Sequence, residues 1–190
     1  SGVADTPAWT VEGAGTNSHL GTTVAGAGDV NGDGYADVII GEPQYSDEGR
    51  PERGRALLFL GGKTGLSPTP AWQALGAVAY MHLGYTTCGV GDLDGDGLDD
   101  VAVGSPQYTE GKRIHLGAVE VYRGTRDGCE SSAAWRAIGS APDAHLGFCL
   151  TSGDFNGDHI RDLVVSAPLY GDSVRERGLL LAYLGQRRQN

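Results

Sequence analysis

Apolar residues along this chain come in runs of three to six, and no window keeps helical spacing for three turns. The first third reads Thr22-Thr23-Val24-Ala25, then Val38-Ile39-Ile40, then Ala56-Leu57-Leu58-Phe59-Leu60, then Ala71-Trp72-Gln73-Ala74-Leu75. Many of the residues are β-branched, and Gly, Pro, Asp and Asn punctuate the runs, so they read as short strands joined by turns. The fold class expected is all-β.

The pattern repeats. Trp9, Trp72 and Trp135 are 63 and 63 residues apart, and Asp29, Asp92 and Asp154 are 63 and 62 apart. Around them recur His19-Leu20-Gly21, His82-Leu83-Gly84 and His145-Leu146-Gly147, and later Gly41-Glu42-Pro43, Gly104-Ser105-Pro106 and Ser166-Ala167-Pro168. The chain therefore reads as one repeat domain over 1–190, with copies at about 6–68, 69–131 and 132–190. Four antiparallel strands in some 63 residues is the size of a propeller blade.

Between the first two strands of each copy lies an acidic loop: Asp29-Val-Asn31-Gly-Asp33-Gly-Tyr35-Ala-Asp37, Asp92-Leu-Asp94-Gly-Asp96-Gly-Leu98-Asp-Asp100, and Asp154-Phe-Asn156-Gly-Asp158-His-Ile160-Arg-Asp162. Oxygen donors at positions 1, 3, 5 and 9, with the backbone carbonyl of position 7 (Tyr35, Leu98, Ile160), suit a hard cation of calcium's size; magnesium, which keeps its waters and a strict octahedron, suits them less. Up to three calcium ions per chain are expected. Glycine at position 6 permits the positive φ that folds the loop back, and His159 in its place makes the third loop the weakest. An EF-hand would need a Glu at position 12 and flanking helices, whereas position 12 here is Ile40, Val103 and Val165. The alternative is a set of metal-free Asp/Asn/Gly turns. Three copies in register favour the metal.

The net charge of −10 argues against a nucleic-acid partner, and ten aspartates of these loops account for its size. No stretch approaches the length of a membrane helix, and the opening residues lack a secretory leader's pattern. Cys88, Cys129 and Cys149 form no CxxC pair; one disulfide with a free thiol, or three buried thiols, are both open.

The combined motif resembles the FG-GAP repeats of integrin α-subunit propellers and their bacterial relatives. Leu20-Gly21, Leu83-Gly84 and Leu146-Gly147 stand for Phe-Gly, and the Gly-Glu-Pro, Gly-Ser-Pro and Ser-Ala-Pro segments for Gly-Ala-Pro. The segments Thr64-Gly65-Leu66-Ser67-Pro68 and Pro70-Ala71-Trp72 look more like bacterial members. The resemblance implies a β-propeller with a structural calcium in each hairpin loop, on the face opposite the usual partner-binding surface.

Propellers close with about four to eight blades, and three would leave two raw edges. The chain opens on the Trp9 strand, equivalent to those at Trp72 and Trp135, and ends on a third strand, Leu179 to Leu184. A homodimer closing a six-bladed ring is expected; the rivals are a partner chain that completes it, or a piece of a longer propeller.

On the other face lie the long loops Gln44 to Gly54, Gln107 to Gly117 and Leu169 to Gly178. They hold Tyr45, Tyr108 and Tyr170 with Arg50, Arg53, Lys112, Arg113, Arg175 and Arg177. This is the face for a protein or glycan ligand, unless the tyrosines pack between blades. His19, His82 and His145 recur at one blade position, which favours a turn or packing role over a cluster. Gly61-Gly62-Lys63-Thr64 lacks the first glycine of a phosphate loop, and no G-x-S-x-G occurs. The expected function is a non-enzymatic binding or adhesion module, extracellular, cell-surface or periplasmic. The alternatives are a calcium-dependent lectin and an accessory domain of an extracellular hydrolase.

Overall fold

A computed structural model describes residues 2–172 and 175–186. It holds β1 (Thr23–Gly28), β2 (Asp37–Glu42), β3 (Arg55–Phe59), β4 (Trp72–Leu75), β5 (Thr86–Gly91), β6 (Asp100–Ser105), β7 (Ala118–Tyr122), β8 (Gly124–Thr125), β9 (Gly128–Cys129), β10 (Trp135–Ile138), β11 (Leu150–Gly153), β12 (Asp162–Ala167), β13 (Gly171–Asp172), β14 (Arg175–Glu176) and β15 (Leu179–Tyr183). No helix occurs among the described residues.

Each apolar run becomes a strand of an antiparallel blade. The first sheet runs β1-β2-β3-β4 and the second β5-β6-β7-β10. The short third sheet agrees with the expected end on a third strand, whereas the Trp9 run departs from expectation. The third sheet has three strands among the described residues, β11-β12-β15, so the outer edge of β15 carries no strand there. The Trp9 segment is not a strand, because no sheet lies beside it to pair with. It nonetheless packs as its counterparts do. Trp9 meets Phe59 edge-on at 5.1 Å and its indole N–H donates to the Ser67 carbonyl at 2.9 Å. Trp72 does the same to Tyr122 and the Glu130 carbonyl, and Trp135 meets Tyr183 at 4.8 Å. Trp72 and Trp135 thus reach from one blade's outer strand onto the next blade, and Trp9 packs on the first blade in the same manner.

The core lies between blades. One cluster joins Ile39, Leu58, Met81, Leu83, Val101 and Val103; a second joins Val90, Val119, Leu146, Leu163 and Val165. The recurring glycines make that approach possible. A Cβ on Gly41 would lie 1.9 Å from the carbonyl oxygen of Gly84, and one on Gly104 would lie 2.3 Å from that of Gly147. The Leu-Gly and Gly-x-Pro halves of the repeat therefore meet across the blade junction.

The shortfall from 63 to 62 residues also has a structural meaning. In β1 the register slips by one residue between Gly26 and Gly28, and in β5 between Gly89 and Gly91. The β11–β12 pairing runs without a slip from Leu150↔Val165 to Gly153↔Asp162. The residue missing before Asp154 is the β-bulge that precedes Asp29 and Asp92.

The acidic loops as a candidate metal centre

All three loops fold around one hydrogen-bond pattern. The position-1 carboxylate accepts backbone N–H groups from positions 5 and 6. Asp29 takes them from Asp33 (3.0 Å) and Gly34 (2.9 Å), Asp92 from Asp96 (3.1 Å) and Gly97 (2.9 Å), and Asp154 from Asp158 (3.2 Å) and His159 (3.0 Å). The position-3 oxygen of Asn31, Asp94 or Asn156 accepts the position-5 N–H. The position-5 carboxylate accepts the N–H of Tyr35, Leu98 or Ile160 at 2.8–2.9 Å. Asp92, Asp94 and Asp96 bring carboxylate oxygens within 4.8 Å of one another. Such a donor set, oxygen throughout, matches a hard cation in chemistry.

Position 6 is left-handed in every loop: φ is 88° at Gly34, 91° at Gly97 and 68° at His159. Position 4 is too, at Gly32, Gly95 and Gly157, a requirement the sequence reading passed over although the glycine is there in all three copies.

Position 9 has a different environment. Asp37, Asp100 and Asp162 are buried, and each carboxylate clasps two backbone N–H groups. Asp37 accepts from Val30 (2.8 Å) and Gly61 (2.8 Å), Asp100 from Leu93 (3.0 Å) and Gly124 (2.9 Å), and Asp162 from Phe155 (2.9 Å) and Gly185 (3.0 Å). These aspartates staple the loop to the turn after the third strand, and the recurrence of Gly61, Gly124 and Gly185 was the signal for it. Burial pushes the Asp100 carboxyl up to about 6 against those N–H bonds, with Asp94 and Asp96 adding repulsion. Burial also raises that of Asp37.

Position 8 links neighbouring blades. Asp99 accepts the N–H of Asp29 at 2.7 Å, and the Arg161 side chain lies across Gly91 in the same way. In loop two, Asp94 also pairs with Arg123 of the β7 end at 2.8 Å.

The opposite face is more committed to packing than to display. Arg55 stacks over Tyr45 at 4.1 Å and Arg136 over Tyr108 at 4.4 Å, while Tyr108 and Tyr170 pack against the two inter-blade clusters. Arg53 is buried, bonded to Asp47 (2.7 Å) and the Gly76 carbonyl (2.6 Å); Arg50 pairs with Asp47 and Arg113 with Glu110. Residues 173 and 174, within the third long segment of the sequence, and residues 187–190 lie outside the described residues. His19, His82 and His145 all sit at φ of 52–57°, which is a turn role. All three cysteines are free thiols, with Cys149 exposed and Cys88 and Cys129 half-buried, so neither the disulfide nor three fully buried thiols is found.

Antiparallel blades packed through glycine and tryptophan, each opening on an acidic hairpin loop, define a β-propeller repeat. The family model described as FG-GAP repeat matches residues 20–59, and one described as FG-GAP-like repeat matches residues 92–165. The chain belongs to the FG-GAP repeat family. It is 34% identical over 182 residues to the phosphatidylinositol-glycan-specific phospholipase D of Rattus norvegicus, covering 91% of this chain and 21% of that protein. It is 33% identical over 159 residues to integrin alpha-5 of Xenopus laevis, covering 79% of this chain and 15% of that protein. The chain therefore spans about a fifth or less of these relatives' length.

Proposed function

We propose that this chain is a calcium-braced propeller module that binds a protein or cell-surface partner outside the cytosol and carries no chemistry of its own. The observation that supports it is one oxygen-lined hairpin loop built three times on the same N–H scaffold. Three carboxylates as close as those of Asp92, Asp94 and Asp96 repel one another, and a dication between them removes that cost. Positions 1, 3 and 5 would supply side-chain oxygens and position 7 its carbonyl, while position 9 holds the loop shut through its two backbone N–H bonds. Exposed sites of this kind suit extracellular calcium. A calorimetric calcium titration tests it: three equivalents are expected, falling to two in Asp92→Asn/Asp96→Asn, and an isotherm that this change leaves intact would overturn the reading.

A second reading follows from the match to phosphatidylinositol-glycan-specific phospholipase D: the repeats serve as an accessory part of a larger enzyme. A binding array of glycans and cell-surface proteins separates a ligand-binding module from a merely supporting one.

We also propose that two copies assemble through the outer edge of β15, which carries no strand among the described residues. Leu180 there is 72% exposed, and Trp135 already covers Tyr183 from the side of the preceding blade. The Trp9 segment has a counterpart's packing on blade one without a sheet of its own. Laid along β15 of a second copy, it would add a fourth strand and close a ring of six blades. Light scattering at twice the chain mass of 19.7 kDa is the expected result, and a monomer in calcium buffer contradicts it.

A further inference from the structure

On the rim opposite the acidic loops, His115, Asp143 and His145 converge. Their donor atoms lie within 4.8 Å of one another, with His115 Nδ1 3.0 Å from Asp143 Oδ1 and the two imidazoles stacked at 5.2 Å. His115 ends the β6–β7 loop of the second blade, and the other two sit in the connection from β10 to β11 that opens the third. The backbone holds them there: the N–H of Asp143 donates to the Ile114 carbonyl (3.0 Å) and that of His145 to the His115 carbonyl (3.0 Å). All three residues are left-handed, at φ of 47°, 56° and 55°.

The same frame exists one blade earlier with other side chains. Glu52, Tyr80 and His82 stand 63 residues before His115, Asp143 and His145, at φ of 47°, 58° and 52°. Tyr80 N–H donates to the Pro51 carbonyl (2.8 Å) and His82 N–H to the Glu52 carbonyl (3.2 Å). There the result is a plain His82–Glu52 pair at 2.8 Å. The strained backbone is thus common to both junctions, and the two-imidazole, one-carboxylate donor set belongs to the second alone.

We propose that His115, Asp143 and His145 form a second kind of metal site, which binds a transition-metal dication such as zinc. Imidazole donors favour such ions over calcium, so the site is chemically distinct from the acidic loops. Rotation of the two half-buried rings and the exposed Asp143 carboxylate would bring the donors to the ~2.0–2.1 Å that zinc requires, and three protein ligands leave a position for water. The ion would tie the long loop of blade two to the start of blade three. This inference does not depend on the calcium reading.

The test is zinc calorimetry on the full chain with its exposed Cys149 thiol alkylated, in about 5 mM calcium so that the oxygen loops, which suit the hard cation, are filled. One equivalent of zinc is expected. His115→Ala and His145→Ala each weaken it about tenfold or more, and Asp143→Asn weakens it less. Glu52→His/Tyr80→Asp, which places the same donors around His82, gains a second equivalent, a result that misfolding cannot imitate. Zinc binding that survives both histidine substitutions, or a graft that gains nothing, overturns the proposal.

Discussion

Asp99 accepts the backbone N–H of Asp29 at 2.7 Å, while its own N–H donates to the Asp29 carbonyl at 3.1 Å. The last turn of the second acidic loop therefore grips the first residue of the first. A carboxylate held by a backbone donor in this way is worth roughly 1.5–3 kcal/mol when truncated. Asp99→Ala is expected to lower stability by about 1–2 kcal/mol in urea melts and to weaken the calcium affinity of loop one while leaving loop three unchanged. Equal effects on all loops would show that the link is not local.

His159 adopts a φ of 68°, in the left-handed region where Gly34 (88°) and Gly97 (91°) sit without a side chain to strain. The left-handed region costs a non-glycine residue about 1 kcal/mol. His159→Gly should therefore stabilise the chain by up to about 1 kcal/mol, and Gly97→Ala should destabilise it by a similar amount. Thermal melts of the two variants beside the parent give the signs.

The buried Asp100 carboxyl sits at about 6, above the 3.8 of a free aspartate. Between those values the folded chain keeps a proton that the unfolded chain releases. The contribution of this group to stability is therefore greatest below pH 4 and falls as pH rises through 6, by up to about 3 kcal/mol. Unfolding free energies in EDTA should show this decline, and Asp100→Asn should flatten it. Calcium, by neutralising Asp94 and Asp96 beside it, should shrink the decline in the parent.

Cys149 is exposed, whereas burial pushes the Cys129 thiol up to about 12 and raises that of Cys88. A thiol reagent at pH 8 should label one cysteine quickly in the folded chain and all three after unfolding. Mass mapping should place the fast label on Cys149; a fast label on Cys129 would contradict the packing described.

Much of this was legible because the repeat carries its own alignment. The strands at Val38-Ile39-Ile40 and Ala56 to Leu60 fall within β2 and β3 to within a residue or two, since apolar runs between turn residues leave little choice. The bulge was also written in the sequence, as the step from 63 to 62 residues, but a deletion has meaning only once the pairing register is known. The Trp9 segment misled because a strand is defined by its neighbours, and its residues match Trp72 without a sheet to join. The stapling role of Asp37, Asp100 and Asp162 was hidden for a similar reason. Their partners Gly61, Gly124 and Gly185 lie some 23–24 residues away, and nothing in a nine-residue motif points there.

The central claim is that calcium holds these loops, and the melting temperature of the chain in EDTA against calcium tests it most directly. Ligand at 100 times its dissociation constant adds about 2.7 kcal/mol per site to the folded state. A large upward shift on adding calcium, reversed by EDTA and only weakly reproduced by magnesium, is the predicted result. An unchanged melting temperature across the three conditions would contradict the account.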